Sequence, residues 1–301
     1  MKKTIAFVFA GALFALATPA MAVIKVMACE PEWAALLNEL ADKDKVEVYL
    51  ATNALQDPHH VQARPSLIAA ARNSQLIVCT GAELEVGWLP ILLRQSGNAA
   101  LKPGQIGNFE AAAYVKLLEV PTRLNRADGD VHAAGNPHIQ SDPRNFVRIA
   151  EALSKRLIAI DAANATHYAA KVASFNQRWT AAMLRWEALG KPLRDTPIAV
   201  EHSNYAYLEN WLGLIRVASL EAVPGVEPSA AHLSAVLKTL AQKPVVMVLR
   251  STHSDGKSSN WLAERAKIPV ITLPFTVGSN DKANDLFGFF DDTLQRLLKV
   301  K

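Results

Sequence analysis

Long apolar runs, cysteines and an excess of charge of one sign are all scarce in this chain of 301 residues. After the first 22 residues, no apolar run is long enough for a transmembrane helix. The formal net charge of +4 falls to +2 without residues 1–22, which contain two lysines and no acid. So balanced a charge argues against nucleic acid as a partner. A local His-Glu-x-x-His motif is also missing, which removes the plainest signature of a zinc hydrolase.

The first 22 residues have the pattern of an export signal. Lys2 and Lys3 precede an apolar stretch from Ile5 to Leu16, and Ala20-Met21-Ala22 has the small-x-small pattern of a cleavage site. We expect cleavage near Ala22 and a soluble mature protein in the periplasm. No cysteine stands at the cleavage site, so we expect no lipid anchor.

Cys29 and Cys79 are the two cysteines of the chain, and both remain after cleavage. In an oxidising compartment, pairing is the default expectation. Cys29 ends the first predicted strand and Cys79 ends the third. In a doubly wound sheet of order 2-1-3 these strands are neighbours, about 4.8 Å apart. We therefore predict a disulfide; the alternative is two buried free thiols.

Strand-like and helix-like segments alternate in two series, which predicts parallel sheets with helical crossovers. The predicted fold is α/β with two lobes, each a mostly parallel sheet flanked by helices, joined by a long rigid helix. A proline-free and glycine-free stretch from Arg144 to Leu189 supplies that helix, with a break near 162–166. The predicted divisions are residues 1–22 for the signal, 23–160 for the first lobe, 161–190 for the connecting helix and 191–301 for the second lobe.

Three histidines fall where such a fold would bring them together. His59 follows the second strand of the first lobe, and His202 follows the first strand of the second lobe. Ligands bind at the carboxyl ends of strands in open parallel sheets. His138, before the long helix, can fold over the same edge, and Asp281 is the carboxylate best placed to join them. Each could instead be structural, but the joint arrangement favours a metal site.

Other histidines have weaker claims. His60 points away from its neighbour in extended backbone, while His167 and His232 fall in helical patterns. His253, near a strand end, is the strongest of the remainder. The segment 123–137 contains His132 among acids and glycines, and it predicts a loop that is mobile without metal. We expect it to assist capture or transfer of the ion.

Several motifs in a shared order resemble those of the zinc and manganese solute-binding proteins of bacterial ABC importers. The segments that carry the resemblance are Asp57-Pro58-His59, Arg64-Pro65-Ser66, Gly81-Ala82-Glu83-Leu84-Glu85 with Trp88, Pro137-His138 with Asp142-Pro143, His202 with Tyr205 and Gly213, and Glu227-Pro228-Ser229. The resemblance spans the mature chain. It implies metal held between two lobes, delivery to a membrane permease, and no enzymatic activity.

Carried over residue by residue, the resemblance implies His59, His138 and His202 as metal ligands. The family's late Asp-Pro pattern is replaced here by Leu273-Pro274-Phe275. Asp281 is therefore the predicted fourth ligand, with Glu201, Asp285 or a water as substitutes. The long histidine-rich loop of many zinc members is reduced here to the 123–137 segment.

Three imidazoles and one carboxylate suit tetrahedral Zn²⁺ better than Mn²⁺, which prefers an oxygen-rich shell. Manganese members of the family have an acid where His202 stands. We expect a monomeric periplasmic zinc-binding protein that serves an ABC permease, with a zinc chaperone as a further partner. The alternatives are a manganese or iron carrier, a secreted zinc hydrolase with Glu201 or Glu30 as base, and a structural or adhesive protein.

Overall fold

The computed structural model describes residues 23–123, 129–130 and 132–300. The predicted export signal and its cleavage site lie outside these residues. Among the helices of the described part, none combines the length and apolar character that a membrane crossing requires.

The first lobe is built from four strands and three helices in the first 110 residues. They are β1 (Ile24–Ala28), α1 (Pro31–Leu40), β2 (Val46–Leu50), α2 (Pro65–Asn73), β3 (Leu76–Cys79), α3 (Leu89–Ser96) and β4 (Asn108–Glu110). Pro31, Pro65 and Pro90 stand in the first turns of the three helices, where a missing N–H costs nothing.

A pair of long helices follows, and then the second lobe. The pair is α4 (Pro143–Ile160) and α5 (Ala165–Gly190). The second lobe contains β5 (Pro197–Val200), α6 (Ala206–Leu212), β6 (Ile215–Ser219), α7 (Ala230–Gln242), β7 (Met247–Ser251), α8 (Lys257–Ala266), β8 (Val270–Leu273) and α9 (Leu286–Leu298).

Both sheets have four parallel strands and the same topology. Their orders are β2-β1-β3-β4 and β6-β5-β7-β8. Each is doubly wound, with its switch point between β1 and β3 in the first sheet and between β5 and β7 in the second, and ligands bind at the carboxyl ends of such strands. The predicted fold of two parallel-sheet lobes and the order 2-1-3 are confirmed. The exact division at residues 160 and 190 stays a prediction.

The break in the long helical stretch is confirmed between α4 and α5, where residues 162–164 form a 3-10 turn. The Asp142 side chain accepts from the Arg144 N–H at 2.9 Å, and Pro143 occupies the first turn. This is the cap that the Ser141-Asp142-Pro143 sequence predicts.

Aromatic side chains along α5 form one core that spans both lobes. Trp179 packs its ring against Phe146 of α4 and against Trp186, with centroids 5.2 and 5.1 Å apart. It also contacts Phe290 of α9 at 5.6 Å. These aromatic side chains of α5 therefore belong to the core, and they pack the connecting helix against both lobes.

The Cys29–Cys79 disulfide is present, with Cα atoms 4.8 Å apart. The parallel pairing of β1 with β3 places Ala28 opposite Val78, so the two cysteines come together at the carboxyl end of the sheet. Pairing of the cysteines is confirmed, and the alternative of two free thiols is wrong.

Candidate metal centre

Three predicted histidines converge at the cleft between the lobes. The ring centroids of His59 and His138 are 5.4 Å apart, those of His138 and His202 are 5.6 Å apart, and those of His59 and His202 are 6.2 Å apart. His138 is 2 % exposed and His59 is 9 % exposed. They line a cavity of about 260 Å³ with carboxylates and hydroxyls from both lobes.

His59 is held in place by its own loop. Its Nδ1 lies 2.7 Å from Asp57 Oδ1, and its backbone N–H donates to the same oxygen at 3.0 Å. Trp88, directly before α3, donates its indole N–H to Pro58 O and so holds the loop against the start of that helix. When Nδ1 carries the proton and donates it to Asp57, Nε2 is unprotonated and its lone pair is available to a metal.

His202 has a matching arrangement in the second lobe. Its Nδ1 lies 2.7 Å from Glu221 Oε2, which also accepts the Gly225 N–H at 2.7 Å. The carboxylate again selects the tautomer with a free Nε2. Both histidines are therefore oriented by an acid on Nδ1.

His138 differs because it is buried and its Nδ1 has no hydrogen-bond partner among the described residues. Its backbone N–H donates to Asn136 Oδ1 at 3.0 Å, and Asn136 donates in turn to Ser203 O of the second lobe at 2.8 Å. Burial, and then the nearby His59 and His202, lower the pKa of His138 well below its ordinary value. The ring is thus kept neutral and able to bind metal.

A fourth histidine joins the cluster from the 123–137 segment. His132 Nε2 lies 3.3 Å from His59 Nε2, and the two rings are stacked with centroids 5.3 Å apart. The side chain is 9 % exposed, and burial lowers its pKa to about 4. Two nitrogens on one tetrahedral Zn²⁺, each bonded at about 2.0–2.1 Å, lie about 3.3–3.4 Å apart.

The described part of that segment bridges the lobes. The Asp130 N–H donates to Pro224 O of the second lobe at 2.9 Å. The Ala133 N–H donates to Glu83 Oε2 of the first lobe at 2.6 Å. Residues 124–128 and 131 lie outside the described residues, so the predicted mobility of the whole segment stays a prediction.

Asp281 is not brought to the cluster. It is exposed, and the residues that line the cavity do not include it. The turn after β8 is held by Asn280, which donates to Asp292 Oδ2 on α9 at 2.9 Å and accepts from the Lys282 N–H. This anchoring directs Asn280 towards the protein and leaves its neighbour in solvent.

The substitute carboxylates have other partners. Glu201 accepts from the hydroxyls of Ser254 and Ser258, each at 2.7 Å. Asp285 caps α9 by accepting from the Gly288 N–H at 2.7 Å. Their oxygens are used in local structure.

Of the remaining histidines, His60 and His253 line the cavity. His253 packs edge-on against Phe275, and burial lowers its pKa to about 4. His167 instead lies beside Asp42, and His232 contacts Ser219 O, both away from the cluster.

The family model for the periplasmic component A of a zinc-uptake complex, ZnuA, matches residues 26–300 of this chain. The chain belongs to this family. It is therefore a metal-binding solute-binding protein of an ABC importer, not an enzyme, and its place is outside the cytoplasm. Such proteins work with a membrane permease.

Relatives in the family differ in the metal that they are named for. The chain is 22% identical over 248 residues to the high-affinity zinc uptake protein ZnuA of Yersinia pestis, covering 75% of this chain and 74% of the relative. It is also 22% identical over 240 residues to the manganese-transporter lipoprotein PsaA of Streptococcus pneumoniae, covering 77% and 74%. Against ZnuA of Paracoccus denitrificans the identity is 24%, over 89% of this chain and 88% of that protein.

Solved structures share the fold. A crystal structure of ZnuA has a TM-score of 0.76 at 21% identity, covering 93% of this chain and 99% of that chain. A Mn-bound periplasmic metal-binding protein of Candidatus Liberibacter asiaticus has a TM-score of 0.73 at 17% identity, covering 92% and 98%. The fold is therefore shared by proteins with different metals, and the choice of metal depends on the side chains of the site.

Proposed function

We propose that this protein captures Zn²⁺ between its lobes and delivers it to the permease. The ion is held by His59, His138 and His202, with His132 as the fourth ligand. The observation that carries the proposal is the cluster of four imidazoles, three of them at least nine-tenths buried, at the cleft.

The donor chemistry supports zinc over manganese. Four imidazole nitrogens form a compact nitrogen-rich set, which Zn²⁺ accepts and Mn²⁺ does not favour. Asp57 and Glu221 are engaged with Nδ1 of His59 and His202, so they support the ligands and do not add oxygen to the first coordination sphere. Manganese carriage is the second candidate, favoured by the similarity to PsaA.

His132 replaces Asp281 in this ligand set because of where the two side chains lie. The nitrogen of His132 is already at ligand-to-ligand distance from His59, whereas Asp281 is exposed. The rest of the 123–137 segment, with Asp130 facing the cavity, is suited to receive the ion from a periplasmic zinc chaperone. We expect the protein itself to act as a monomer.

The test is competitive titration of untagged protein with Zn²⁺ and Mn²⁺, together with metal analysis. We expect one Zn²⁺ per chain and a weaker hold on Mn²⁺. His59→Ala and His202→Ala should each weaken zinc binding by at least about tenfold, a loss of at least about 1.4 kcal/mol. His167→Ala is the matched control and should bind as the parent does. Equal zinc affinity in all four proteins would refute the site.

The fourth ligand has its own pair of variants. His132→Ala should weaken equilibrium binding of Zn²⁺, and Asp281→Ala should leave it unchanged, because only His132 is placed among the other ligands. The opposite result would restore Asp281 and would require the turn after β8 to move when metal binds.

A further inference from the structure

Three glutamates are buried around the Cys29–Cys79 disulfide. Glu30 follows Cys29 at the end of β1, Glu32 lies in the first turn of α1, and Glu85 follows β3; each is at most 2 % exposed. Across the described part of the chain, no ion pair joins any of the three to a lysine or arginine. Burial without a cation disfavours the ionised form of an acid.

Two of these acids face each other beside the sulfurs. Glu30 and Glu85 are within hydrogen-bonding reach of one another, and both accept from the Thr80 N–H, at 3.2 and 2.7 Å. Glu30 Oε1 has no donor in the described structure. Burial, and then the charge of Glu85, raise the pKa of Glu30, and burial raises the pKa of Glu85 to about 7.

The donor atoms of this cluster are close enough for a metal. Both cysteine sulfurs and a carboxylate oxygen of Glu85 lie within 4.8 Å of one another. Tetrahedral zinc, with Zn–S about 2.3 Å and Zn–O about 2.0–2.2 Å, separates its donors by roughly 3.5–3.8 Å. A movement of about 1 Å would therefore bring all three into the coordination sphere of one ion.

We propose that reduction of the Cys29–Cys79 disulfide creates a second metal site, in which Cys29, Cys79 and Glu85 bind one Zn²⁺ or Cd²⁺ ion. A dithiol reductant breaks the S–S bond, is itself oxidised to a disulfide, and leaves two thiols. Metal binding then releases the two thiol protons. Two thiolates balance the charge of the cation.

A surface cavity gives access to this cluster. It has a volume of about 590 Å³ and is lined by Glu85 together with Gly81, Glu83 and Glu110. Glu85 lines this cavity and also has a carboxylate oxygen within 4.8 Å of both sulfurs, so it connects the cavity with the cluster. The site is in the first lobe and independent of the histidine cluster.

The experiment uses the mature chain with His59→Ala and His202→Ala, which removes ligands of the cleft. One sample is reduced with a phosphine and the other is left oxidised, and both are titrated with Cd²⁺. We expect the thiolate-to-cadmium absorption band to saturate at one equivalent in the reduced sample and to be missing in the oxidised one. No band in the reduced sample would overturn the proposal.

Two glutamate variants separate a built site from free thiols. Glu85→Gln in the reduced protein should weaken Cd²⁺ binding by at least about tenfold. Glu47→Gln, at an exposed position of β2, should bind as the parent does. A reduced chain that had unfolded would bind Cd²⁺ equally well with either glutamine. Equal affinities would therefore overturn the proposal, whether or not circular dichroism shows a folded protein.

Discussion

The histidines of the cleft are prepared for metal by the residues behind them. Asp57 and Glu221 each hold one Nδ1 at 2.7 Å, so that Nε2 of His59 and of His202 is left for the ion. Burial of His138 lowers its pKa, which favours the neutral ring that can bind metal. The orientation of the rings is thus partly set before metal arrives, which limits the free energy that binding would otherwise spend on ordering side chains.

Replacing Glu221 tests the role of these supporting acids. Glu221→Gln keeps the size of the side chain but removes the charge that fixes the tautomer of His202. We expect zinc affinity to fall by about 10- to 100-fold, as is usual for such partners. Competitive zinc titration is the measurement. Glu227→Gln, six residues along and exposed, is the control and should bind as the parent does.

An affinity of Glu221→Gln within twofold of the parent would contradict this role. It would mean that packing alone orients His202 and that the contact with Glu221 is incidental.

The sequence alone predicted three of the four histidines of the cluster as ligands, and it did not predict His132 as one. His59 and His202 each follow a strand, and the carboxyl ends of parallel strands lie at one edge of their sheet regardless of loop conformation. The position of His132 depends on loop hydrogen bonds to Pro224 and Glu83, which no periodic pattern encodes. The nearby strand end did not predict the position of Asp281, because the hydrogen bonds of Asn280 hold that turn so that Asp281 faces solvent.

The elements with strong apolar patterns were predicted, and the weak ones were missed. β1, β3 and the helices α4 and α5 agree with the sequence expectations closely. β4 has only three residues, and β6 is a half-exposed edge strand with Arg216 in it. Such short or half-exposed strands carry little apolar pattern, although β2, which is also an edge strand, was predicted.

α5 offers the sharpest test of packing at this scale. Trp179→Ala should lower the free energy of unfolding by about 3–5 kcal/mol, because a fully buried ring in the shared core is lost. Leu184→Ala, on the same helix but 66 % exposed, should change it by less than about 0.5 kcal/mol. Urea unfolding of metal-free protein measures both.

Similar losses in the two variants would contradict the assignment of the aromatic side chains of α5 to the core. Helix propensity could not explain such losses, because alanine is the strongest helix former.

The protein as a whole should bind zinc more weakly in acid, because a protonated imidazole cannot ligate. Burial lowers the pKa of His138 well below its usual value and that of His132 to about 4, so it favours the neutral ring in both. These two of the four proposed ligands should therefore release few protons on binding. Proton release is then limited to the rest of the proposed ligand set.

We therefore expect the logarithm of the zinc association constant to rise by no more than about two per pH unit between pH 5 and 7. Titrations at constant ionic strength give this slope directly. A slope near four would show that the buried histidines are protonated in the metal-free protein, against the effect of burial.

The attachment of His138 to the second lobe has a kinetic consequence. Asn136 ties that segment to Ser203, and Tyr207 donates its hydroxyl to Asn136 O at 2.7 Å. We therefore expect any opening of the cleft to keep His138 beside His202 and to move His59 away with the first lobe. In that order of events an arriving ion would meet His138 and His202 before His59, and release would begin at His59.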